Sequence, residues 1–133
     1  MEIKVIQAIK LDTLMCFEIE LQIDDYETHD KIMISTSLPE ITISKKGEYY
    51  FATFQQFRDH LLDFGIGLKC AGSLLNVCQS HLASYTEKIY IINLGEQAKS
   101  DNLVSIFDYM DLDKFSYTLE QEEFYKKWIT SLE

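Results

Sequence analysis

Between Phe107 and Tyr117 the chain reads FDYMDLDKFSY, with Asp108, Asp111 and Asp113 set among aromatic and apolar residues. Carboxylates at such spacing serve three kinds of chemistry. They ligate a hard cation, they grip a basic partner beside tyrosines, or they cap and turn the backbone. A twelve-residue calcium loop begun at Asp111 would place Asp113 third and Glu122 twelfth. Its fifth position is Phe115, which offers no oxygen, its ninth is Leu119, and its sixth is Ser116 where the sharp turn needs glycine. Two side-chain positions and the glycine are missing, so calcium is not the expected occupant. Tyrosine is enriched in binding hot spots, and a dense acidic patch speeds association with a basic partner. Asp108, Tyr109, Asp111, Asp113 and Tyr117 therefore form a candidate partner-binding set, with a solvated, capped loop as the alternative. The segment DDYETHD at 24–30 repeats the chemistry and supplies a second set, Asp24, Asp25, Tyr26 and Glu27.

Other reactive residues form no recognisable constellation. Cys70, Cys78 and His81 include a C-x2-H spacing, but the paired arrangements of structural zinc are absent, so no metal site is expected. CAGSLLN lacks the G-x-S-x-G elbow, and there is no P-loop and no G-x-G-x-x-G. No catalytic residue and no cofactor are expected. A small carboxylate-based enzyme is kept as an alternative, because two acids can meet from distant positions.

Charge narrows the partners. The net charge is −10, and it is concentrated in segments 18–30 and 101–133, while the rest of the chain nearly balances. Such a field argues against direct nucleic-acid or anionic-membrane binding and favours a basic partner. No apolar run reaches the length of about 18 residues that a membrane helix needs. The charged, alternating start MEIKVIQAIKLD does not read as a secretory signal, and three irregularly spaced cysteines make no disulfide framework. The expected compartment is the cytoplasm.

These residues need elements to hold them. Residues 3–10 read as a strand. In 15–23, Phe17, Ile19, Leu21 and Ile23 alternate with Glu18, Glu20 and Gln22, the pattern of a strand with one wet face. Residues 24–31 read as a polar turn, 32–36 as its hairpin partner, 41–44 as a short strand, 45–48 as a turn and 49–52 as a returning strand. Helical period starts at Thr53, with a Thr53/Gln56 capping box, a Phe54, Phe57, Leu61, Phe64 stripe and a stop at Gly65. Residues 66–78 read as extended with a bend near Gly72, 79–87 as a loop, and 88–94 as a central strand. A short helix over 102–109, capped by Asp101, would bury Leu103, Ile106 and Phe107. A last helix starts at Thr118, capped with Gln121, and turns Phe124, Trp128 and Leu132 inward. The expected fold is a single α+β domain, 1–133, with a mainly antiparallel sheet and two or three helices packed on one face.

The stretch 66–108 resembles small bacterial immunity proteins of contact-dependent growth inhibition and other polymorphic toxin systems. The resembling residues are Cys70-Ala-Gly-Ser73, Tyr90, Gly95-Glu-Gln-Ala98 and Leu103 through Asp108. The resemblance implies a cytoplasmic immunity protein that binds a cognate toxin C-terminal domain, a nuclease with a basic cleft, and blocks it without chemistry. The chain departs from the family at Cys78–Leu82 and Ala83–Thr86, where a Tyr-Pro-Ser-Gly-Met-like turn and a glycine-rich loop are expected. That departure implies a different partner, so no binding residue is carried over. An acidic mimic of nucleic acid, inhibiting DNA- or RNA-binding proteins, fits the same charge.

Overall fold

The computed structural model describes residues 1–26 and 31–133. The chain is α+β and its sheets are antiparallel. Five strands, β1 (Glu2–Lys10), β2 (Met15–Tyr26), β3 (Lys31–Ser37), β4 (Thr42–Gly47) and β5 (Ile66–Leu68), form a sheet in the order β4-β3-β2-β1-β5. A smaller sheet, β6-β7-β8, joins Val77–Cys78, Lys88–Ile91 and Leu103–Ser105. Helix α1 spans Tyr50–Asp63 and helix α2 spans Thr118–Ser131. Among the described residues no helix is long and apolar enough to cross a membrane.

Strand alternation builds the core. Ile6 faces Ile19 across the β1–β2 ladder, and Ile23 faces Ile34 across β2–β3. With Leu21, Ile32 and Ile43 they bury one face of the sheet against Phe54, Phe57 and Leu61 of α1. Each fully buried phenylalanine ring contributes about 2–3 kcal/mol by burial alone. Helix α2 packs instead on α1 and β6, beside the core rather than on the large sheet. Strand β7 is central in its sheet, as its apolar sequence predicts.

Several boundaries differ from the sequence reading. Residues 45–47 continue β4 instead of turning. Tyr50–Ala52 are the first turn of α1, not a strand. The early helix start has an external cause. Ser84 O accepts the Tyr50 N–H at 2.8 Å and Gln79 Oε1 accepts the Phe51 N–H at 3.2 Å, so distant groups satisfy helix donors. The Thr53 hydroxyl donates back to Tyr49 O, inside the helix, so Thr53 is not a cap. Gly65, at φ +85°, does follow the helix end.

The predicted 102–109 helix is absent. A 3₁₀ turn, Ser100–Asn102, leads into β8, because β7 needs its second neighbour there. Ile106 and Phe107 are buried as expected, but Leu103 is exposed. At α2 the residue capping the helix is Tyr117, and Glu120 rather than Gln121 reaches back to accept its N–H. Gln121 turns into the interior. Along α2, Trp128 is buried, while Phe124 and Leu132 are half-buried.

Candidate partner-binding surfaces

The two predicted acidic sets behave differently. Asp24, Asp25 and Tyr26 are not a turn, because β2 runs through them. Alternation sends Asp24 and Asp25 to opposite faces. Asp24 is on the outer face of the sheet, 4.0 Å from the N-terminal amine. Asp25 is on the inner rim, in a cleft shared with Glu2, Tyr50, Tyr85 and Glu87. Burial first, then Glu87, Glu2 and Asp25, push the Tyr50 phenol well above the usual tyrosine range. Of Tyr26 only the backbone is described, and Glu27 lies outside the described residues.

Segment 105–117 is a strap fixed by its main chain. Asp108 O accepts the Ala71 N–H at 2.8 Å, Ile106 O accepts that of Gly72, and Lys69 O accepts that of Met110. Cys70 and Tyr109 form an isolated antiparallel bridge. The Phe115 ring lies on Gly67, where any Cβ would meet it at 2.8 Å. Asp108 helps hold the strap, since its carboxylate accepts the Ser105 N–H at 3.0 Å. That makes Asp108 partly a backbone clamp rather than purely a binding group. Tyr117 is tied as well, its hydroxyl donating to Asp63 at 3.0 Å, and that bond raises the phenol pKa. The remaining residues are displayed. Tyr109 is 59% exposed, the Asp111 side chain 81%, and Asp113 is exposed.

Asp111 sits 3.0 Å from Lys69 Nζ and holds that ammonium above the usual lysine range. The calcium spacing does not close in space, because Phe115 lies on Gly67 while Glu122 lines a separate groove. Among the described residues no group of three His, Cys, Asp or Glu converges as a metal set.

The wet face of β2, anticipated from its alternation, presents Glu18 and Glu20. Sequence reasoning did not connect this row with the strap. The link is β5, which pairs with β1 so that Gly67 faces Ile9, and Lys69 N–H then bonds Gln7 O. Gly67 and Lys69 therefore share the outer face with Glu18 and Glu20, and the strap's Phe115 and Asp111 rest on them. Cys16, opposite Ile9 on β2, lies on this same face.

No family model matches the chain, and no curated protein matches it.

A groove of about 670 Å³ runs between α1, the 77–84 segment and α2. Tyr49, Phe51, Val77 and Tyr125 form apolar walls, and Glu122, Lys126 and His81 add two charges and an imidazole. Burial pushes the Cys78 thiol up to about 11, so it stays protonated at neutral pH. The thiol makes no hydrogen bond among the described residues, so no activated nucleophile is assembled. Cys70 is fully buried, with Sγ 4.0 Å from Ser73 Oγ, and its thiol is likewise pushed up to about 11.

Arg58 was missed in the sequence reading. Its guanidinium is completely buried between the helices. It donates to Asp59 Oδ1, Gly72 O and Gln121 Oε1, each at 2.8 Å, and to Thr118 Oγ1 at 3.1 Å. Burial lowers its pKa, and the Asp59 carboxylate opposes that. Gln121 completes the knot by donating to Gly72 O and Leu74 O. Every polar atom there is satisfied, which marks a structural tie rather than a reactive centre. The only available signal was a charge four residues after Phe54, on the apolar stripe.

Proposed function

We propose that this chain is an immunity-type protein that binds one basic toxin domain, a nuclease, and neutralises it by covering the cleft where phosphate would bind. It acts in the cytoplasm, without chemistry and without a cofactor. The observation that carries the reading is the strap. Tyr109, Asp111 and Asp113 are presented to solvent from a strap whose backbone is hydrogen-bonded on either side, at Asp108, Met110 and Ser116. A preorganised acidic and aromatic surface loses little conformational freedom when it docks. The net charge of −10 adds attraction for a basic cleft at long range.

The test is growth. The coding segment immediately upstream is induced with and without this chain. Arrest relieved by the chain supports the proposal, and a harmless upstream segment, or arrest that persists, refutes it. With the purified pair, association slows steeply as salt rises. Reversing Asp111 and Asp113 to lysine weakens binding about tenfold or more while the melting temperature changes little. Affinity that is flat with salt would remove the electrostatic part of the reading.

A further inference from the structure

We propose that the outer face of the five-stranded sheet is the docking bed for a basic amphipathic helix of the partner. This deepens the reading above by naming the face and the shape of what it receives. The bed has three lanes. The middle lane is β1, whose outward residues Ile3 and Val5 are 50% and 53% exposed and are followed by half-buried Gln7 and Ile9. One flank is the β2 row, where Glu20 pairs with Val5 and Glu18 with Gln7. Neither glutamate has an ion pair among the described residues. The other flank is the strap over β5, which borders the Gln7–Lys10 end of β1 and carries Asp111, paired there with Lys69, and the exposed Asp113.

An apolar lane between two acidic borders matches one kind of ligand. That ligand has an apolar stripe with Lys or Arg along both sides. Width selects a helix over a strand. Where both flank β1, at its Gln7–Lys10 end, two strand spacings separate the borders by about 9.5 Å, close to the helix diameter of about 10–12 Å. From Ile3 to Ile9 the lane runs about 20 Å, the length of a helix of about 14 residues. A single extended segment would fill the apolar lane but leave its own side chains short of both borders.

The probe is a synthetic peptide of about 14 residues with leucines on one helical stripe and lysines beside it, compared with a scrambled peptide of identical composition. Binding is read by fluorescence anisotropy and by amide chemical shifts of the ¹⁵N-labelled full chain. The expected result is tighter binding of the patterned peptide, with shifts centred on Ile3, Val5, Glu18, Glu20 and Lys69. Glu18→Lys with Glu20→Lys weakens it about tenfold, and the conservative Val5→Thr weakens it severalfold, with melting curves unchanged. Equal affinity for the scrambled peptide, or shifts centred on the groove beside α2, overturns the proposal. The growth assay separates the two ideas. If the charge-reversed chain still protects fully, this face is not the interface and the immunity reading stands. If the unaltered chain fails to protect, the immunity reading falls and the peptide titration still decides the face.

Discussion

Arg58 carries a full charge where no water reaches it, so its neighbours are not equally dispensable. Asp59, its counter-ion at 2.8 Å, is 30% exposed, whereas the guanidinium is fully buried. Replacing Arg58 by methionine removes the buried charge itself. Asp59 then rehydrates and still accepts the Thr118 N–H at 3.1 Å. Gly72 O keeps the Gln121 amide, and Gln121 Oε1 keeps the Gln55 amide at 3.0 Å. Three of the four former partners retain another bond and only the half-buried Thr118 hydroxyl loses its own, so the loss is about 1–2 kcal/mol. Replacing Asp59 by asparagine does the opposite. It preserves shape and an acceptor oxygen but strands the guanidinium without its carboxylate, at a cost of about 3 kcal/mol or more. For a chain of this length each kcal/mol shifts the melting temperature by roughly 3–5 °C. Arg58→Met therefore melts about 5 °C lower and Asp59→Asn about 10–15 °C lower. The double variant is more stable than Asp59→Asn alone. Urea titrations with tryptophan fluorescence, which reports on Trp128 in α2, check the order. If Arg58→Met is the more damaging change, or the two effects simply add, the guanidinium–carboxylate pairing is not what balances this knot.

Three further outcomes follow from local geometry. Gly67→Ala drives a methyl into the Phe115 ring, so it costs about 1–3 kcal/mol and speeds amide exchange at Met110 and Ser116. The raised Tyr50 pKa gives a signed alkaline effect. Below about pH 10 folded and unfolded chains both hold the proton, whereas above it the unfolded chain releases first and stability falls by up to about 1.4 kcal/mol per pH unit. Tyr50→Phe makes that limb shallower in melts taken from pH 9 to 11, and an unchanged slope would refute the assignment. Leu14 sits at φ +59° in the β1–β2 turn with its side chain mostly exposed, so Leu14→Gly removes left-handed strain and raises the melting temperature by a few degrees.

What could be read from sequence was what alternation and period encode locally. The Glu18, Glu20 row and the Phe54, Phe57, Leu61 stripe are visible because neighbours along the chain decide which face is wet. Asp24 and Asp25 misled because paired aspartates resemble a turn, yet β3 extends the ladder through them. The start of α1 was hidden because its donors are satisfied by Gln79 and Ser84, about thirty residues away. The candidate surface was half legible for the same reason. Each acidic row is a local pattern, but their meeting depends on a three-residue strand, β5, bringing the strap against β1.

The strap separates what holds it from what it shows. Its grip is written in carbonyls, amides, one glycine and one ring, none of which depends on the side chains at 109, 111 and 113 except through Lys69. Those positions are free to drift. A lineage can exchange them one at a time while the domain folds as before, so a changed partner can be followed by point substitutions on an unchanged frame. Turnover should therefore be fastest at 109, 111 and 113 and slowest at Gly67, Gly72 and Phe115.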